Sequence, residues 1–250
     1  MKEMATIFVV AVVMGVGLCS VEAAIFTETI DLSISQDPNF DPDGLAAEAT
    51  FTLDTSNLAE LKIELVNTST GVPLGFDSSD QLLTGISFDF GQPGYNGDPM
   101  IIRGTVVIGP GGYSINFDQI DPQLGAGDDV SGEWGYGNMD GTGLLTNFVT
   151  ATKSEATAFG GINWDGPINI DGPQGGICID PPWVSLGGLG AVADSVVITL
   201  MLDAPLANLD FLVENGVVAE FGSDAAFFPE PTTICLLGFG SLSLILRRRK

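Results

Sequence analysis

Histidine is missing from all 250 residues. Its absence removes the usual general base, the Ser-His-Asp triad and imidazole metal ligation together. Cationic side chains are almost as scarce. Lys and Arg number 8 against 32 Asp and Glu, for a net charge of −24. Most of the cations lie at the two ends, as Lys2, Arg247, Arg248, Arg249 and Lys250, so Ile25 to Phe228 holds only Lys62, Arg103 and Lys153. A nucleic-acid binder needs a basic footprint, and this chain has none. Anionic lipid is excluded as a partner of the central region on the same ground. Cysteine occurs three times, as Cys19, Cys178 and Cys235. The first and last lie in end segments that read as removable, which leaves Cys178 alone and excludes an intrachain disulfide. Flanked by Ile177 and Ile179, that thiol is expected to be buried as a small apolar group. Between the ends there is no apolar pattern of helical period, which excludes a helical bundle.

What the chain does have is alternation with period two, bounded by turn residues. Phe26, Ile30, Leu32 and Ile34 share one face of a first strand, with Thr27, Thr29 and Asp31 opposite. Ala49, Phe51 and Leu53 alternate, then Asp54-Thr55-Ser56-Asn57 turns the chain, then Leu61, Ile63 and Leu65 alternate with Lys62 and Glu64. That pair reads as a hairpin with one solvated face. Ile86, Phe88 and Phe90 give another strand, Met100 to Ile108 a further one, and Tyr113, Ile115 and Phe117 one more. Gly104 inside its run predicts a bulge or a split. Gly109 to Gly190 holds 19 of the 33 glycines and all the tryptophans, Trp134, Trp164 and Trp183. It reads as long loops between short strands such as Phe148 to Thr152. Val196, Ile198, Leu200 and Leu202 then alternate with Val197, Thr199 and Met201, which predicts a central strand buried on both faces. Asn215-Gly216 between Phe211–Val213 and Val217–Phe221 is the best short hairpin signal in the chain.

Strands with turn punctuation and no helices predict an all-β domain, an antiparallel β-sandwich with the jelly roll among its forms and a barrel as the alternative. The organisation expected is a signal peptide over residues 1–23, an all-β extracellular domain over 24–228, and a tail over 229–250. Without the two ends, three basic residues face 29 acidic ones, a net charge of −26. Such a surplus favours solubility, lowers stability through self-repulsion, and calls for counterions or bound divalent metal.

Three groups of residues could form sites. Asp37, Asp41 and Asp43, followed by Gly44, could set carboxylates and carbonyls around Ca²⁺, a hard cation that takes oxygen ligands. The same composition also makes an ordinary Asx/Pro turn. Asp128, Asp129 and Glu133 form a weaker second group. Trp134, Tyr136, Trp164 and Trp183, set among glycines and acids, could offer flat faces to sugars, or could cover the core beneath the loops. Glycoside hydrolysis needs two carboxylates, but with so many acids no pair stands out. The Glu-x-Asp-x-x-Glu pattern of one class of jelly-roll glycosidases is absent. No catalytic residue is assigned and no enzyme is expected.

The ends are more telling. Lys2 precedes an apolar run from Ala5 to Leu18, and Val21-Glu22-Ala23 suits a signal peptidase, with cleavage expected after Ala23 and, as the second choice, after Ala24. At the other end, Pro229, Glu230 and Pro231 are followed by fifteen residues without charge or proline, Thr232 to Leu246, and then by Arg247, Arg248, Arg249 and Lys250. Both prolines fix φ and lack an N–H, so a helix must start after them. Fifteen residues rise roughly 22 Å, short of the ~30 Å hydrocarbon core. The basic end snorkels and stays cytoplasmic, which puts the preceding domain across the membrane.

In this order of parts the tail resembles the PEP-CTERM sorting signal of Gram-negative bacteria. The triplet is Pro229 to Pro231, the apolar run includes Ile234 to Leu246, and the basic cluster is Arg247 to Arg249. The resemblance implies recognition by a membrane exosortase, cleavage near the triplet, and release or attachment at the cell surface. Leu61 to Phe90 and Val196 to Asp224 are more loosely similar to the bodies of many proteins with this signal, which implies a sandwich-like surface domain without an assigned activity. Exosortase and signal peptidase are the partners expected, with extracellular polysaccharide as a further one. Contact with membrane is expected only through the two end segments. Two functions fit: a structural or adhesive protein of the surface or matrix, or a calcium-assisted carbohydrate-binding module of that matrix.

Overall fold

The computed structural model describes residues 25–32, 34–35, 44–71, 81–91, 99–115, 123–138, 145–152, 156–159, 175–182, 190–214, 216–222 and 225–228. In chain order the strands begin β1 (Ile25–Leu32), β2 (Ile34–Ser35), β3 (Ala47–Asp54), β4 (Glu60–Asn67), β5 (Leu83–Phe88), β6 (Ile101–Ile108) and β7 (Ser114–Ile115). They continue with β8 (Gly135–Gly137), β9 (Asn147–Thr150), β10 (Thr157–Ala158), β11 (Ile177–Cys178) and β12 (Ala191–Ala193). The last are β13 (Ser195–Leu202), β14 (Val217–Phe221) and β15 (Ala225–Phe228). A 3₁₀ turn at Ser131–Glu133 and one turn of α-helix, α1 (Phe211–Glu214), complete the elements.

One sheet has the order β1-β3-β4-β13-β6, antiparallel throughout. The other runs β10-β8-β9-β5-β11-β12-β7, with β14 against β5 and β15, and β15 against β2. Its β11–β12 pair is parallel. The expected sandwich is present, with its core between the sheets. Phe51 of the first sheet meets Phe88 of the second edge to face, with centroids 5.6 Å apart. Phe90 continues the stack onto Phe211 of α1 at 5.1 Å.

The β3–β4 hairpin forms as its alternation requires, with Leu53 opposite Leu61 and Phe51 opposite Ile63. Phe51, Leu53, Leu61, Ile63 and Leu65 are fully buried, while Lys62 is exposed. Asn57 N donates to Asp54 O at 2.9 Å and Ser56 N donates to the Asp54 carboxylate at 2.7 Å. The Ser56 hydroxyl, and then its amide, hold the Asp54 carboxyl below the usual range.

Four expectations need correction. The first strand is two: β1 belongs to the first sheet, and β2 pairs β15 in the second. β13 is central, but only Val196, Ile198, Leu200 and Leu202 face the core; Val197, Thr199 and Met201 are half-buried because the outer face of the first sheet meets solvent. β6 is continuous through Gly104, and the register shift falls opposite Met201/Leu202. A Cβ on Gly104 would stand 2.5 Å from the Phe159 ring and 2.6 Å from Thr199 O, so close approach explains that glycine. Asn215-Gly216 is not a hairpin turn. Phe211–Glu214 is helical, and Gly216 takes φ +89 just past it, a common helix ending.

The two edges of the first sheet differ. β6 is covered at both of its ends. Asn138 exchanges two hydrogen bonds with Ile101, Tyr136 donates to Ile102 O, and Val106 and Ile108 pair with the segment 127–131. β1 pairs only β3 among the described residues, and Glu28 and Asp31 on it discourage pairing with another chain.

Candidate functional site

The sorting triplet begins at Pro229, one residue after β15 ends, so the junction between domain and tail is built by the last strands. β14 is buried along its whole length and pairs β5 from Val217↔Phe88 to Phe221↔Leu83. The chain just past it is fastened to the same strand. Gly222 N donates to Leu82 O at 2.9 Å, and Thr84 Oγ1 lies 2.6 Å from Gly222 O and 3.1 Å from Glu220 O. Gly222 itself takes φ +59. β15 then returns between β14 and β2. It pairs Ala219↔Phe227, Glu220↔Ala226 and Phe221↔Ala225 on one side, and Phe227↔Ser35 and Phe228↔Ile34 on the other. Phe228 precedes a proline, which itself favours extended backbone at that residue. The N-terminal and C-terminal parts of the domain are thus stitched together at the point where the tail departs. Pro229, Glu230, Pro231, Arg247, Arg248 and Arg249 themselves lie outside the described residues.

The aromatic candidates separate. Trp134 is 0 % exposed and sits in the core, where its ring covers the apolar interior. Its Nε1 has no hydrogen-bond partner among the described residues. Tyr136 stacks on Phe159 with centroids 5.0 Å apart, and its hydroxyl donates to Ile102 O at 2.9 Å. Trp164 and Trp183 lie outside the described residues, as do Asp37, Asp41 and Asp43.

Among the described residues no three acidic or cysteine side chains converge on a metal position. Asp128 and Asp129 instead accept local backbone N–H groups, from Gly125 at 2.8 Å and from Ser131 at 2.8 Å. They shape the turn that caps β6, which is the structural role open to any Asx residue in a loop.

The structure brings together one polar group that sequence reasoning did not single out. The Tyr113 hydroxyl donates to Asp180 Oδ1 at 2.7 Å, and that bond pushes the phenol up to about 12. Nearby, burial pushes the Cys178 thiol up to about 12. Asp194, at φ +69, is raised from its ordinary value first by burial and then by the charge of Asp180. These groups join β11, β12 and β7. Fully enclosed, the thiol packs as a small apolar group. Asn67 was also missed. It continues the inward phase of Leu61, Ile63 and Leu65 as a polar residue, and that was the available signal.

No curated protein and no solved structure matches the chain. One family model does: residues 229–250 match the PEP-CTERM protein-sorting motif. The motif marks an exported protein directed to the cell surface through a membrane step and processed by an exosortase. The last described strand ends at Phe228 and, from Pro229 onward, the chain carries the PEP-CTERM sorting motif of an exosortase substrate.

Proposed function

We propose that this chain is an acidic structural or adhesive protein of the cell surface or extracellular matrix. Its signal peptide is removed on export, and its tail serves as a temporary membrane anchor until an exosortase acts. The observation that carries this reading is the sorting motif joined without a spacer to a β-sandwich domain. The sandwich supplies a stable body. The net charge of −26 between the two ends supplies hydration and a capacity for cations. No enzymatic activity is proposed. The carbohydrate-binding alternative depends on exposed aromatic faces, and with Trp134 enclosed it would have to rest on Trp164 and Trp183.

Fractionation tests the reading. The full chain is expected at the cell surface or in the medium of exosortase-bearing cells, and in the inner membrane of cells lacking the exosortase. A chain truncated after Phe228 is expected to leave the membrane without delivery to the surface. Equal surface delivery of both chains would overturn the proposal. For the adhesive role, cells lacking the protein should attach to surfaces less firmly and regain attachment on complementation.

A further inference from the structure

We draw no further inference here: the strongest candidate, the cluster of buried polar side chains Ser87, Thr150 and Glu220 beside Gly85 on the face of the second sheet turned away from the core, carries nothing, because nothing among the described residues shows what covers that face.

Discussion

Asn67 donates to Ile177 O at 2.7 Å, from the last residue of β4 in one sheet to β11 in the other. The same amide donates to Gln81 O at 3.0 Å, and Asn67 Oδ1 accepts from Ser69 N at 3.1 Å. A buried side chain thus closes one end of the sandwich with hydrogen bonds rather than apolar contact. Asn67→Ala would leave two buried carbonyls without this donor and should lower stability by about 2 kcal/mol. Asn67→Asp should cost more, because a carboxylate would face both carbonyl oxygens. That excess cost is present above the carboxyl's unfolded pKa and fades as pH falls and the group protonates. Denaturant midpoints for the wild type and both variants, at pH 7 and pH 4, check the order and the pH trend.

Asp194 is the corner where the chain leaves the second sheet at β12 and enters the first at β13. Its N–H donates to Cys178 O and its carbonyl accepts from Asn67 N. Left-handed backbone at φ +69 suits Asn as well as Asp and strains β-branched residues. Its carboxyl is raised by burial and by Asp180, so ionisation is less favourable in the folded chain than in the unfolded one. That loss of stability is in force at neutral pH and vanishes below about pH 4, where both states are protonated. Asp194→Asn should therefore raise the melting temperature at pH 7, with a gain that shrinks on acidification. Asp194→Val should lower it at every pH.

Cys178 is enclosed and its thiol is pushed up to about 12 by burial. With Cys19→Ser and Cys235→Ser in place, the folded chain should resist a thiol-reactive dye at pH 8 and react fully in denaturant. Tyr113→Phe removes the bond to Asp180 yet should leave that protection intact, since burial rather than the phenol sustains it. Rapid labelling of the folded chain would show that β11 and β12 do not cover this thiol.

The acidic surplus predicts a response to salt. With 29 acidic residues against three basic ones between the ends, like-charge repulsion weighs on the folded state, and screening lowers it. Melting temperature should rise with NaCl. If Asp37, Asp41 and Asp43 hold Ca²⁺, millimolar CaCl₂ at matched ionic strength adds a further rise by mass action. Asp41→Ala and Asp43→Ala should then each erase that extra rise and leave the salt response unchanged. No rise beyond screening would make the segment a turn.

Local signals carried much of the fold. The β3–β4 hairpin was legible because alternation and an Asx turn sit within twenty residues of each other. Asn215-Gly216 misled because a left-handed glycine ends a helix as readily as it turns a hairpin. Burial of Phe211 against Phe88 and Phe90, which decides the matter, is a tertiary effect. The sheet change at Asp194 was hidden because alternation runs unbroken on either side of it. Asn67 and Ile177 lie 110 residues apart, and no local pattern joins them. The tail, by contrast, was fully legible, since its chemistry resides in composition and order. How closely β15 abuts it required the structure.

Intact mass of the protein extracted from the surface of exosortase-bearing cells tests the central claim most directly. The expected mass lacks residues 1–23 and everything beyond the region of Pro229–Pro231, and cells without the exosortase yield the longer chain. A surface-extracted mass that still includes Arg247 to Lys250 would contradict the sorting reading and leave the tail a plain membrane anchor.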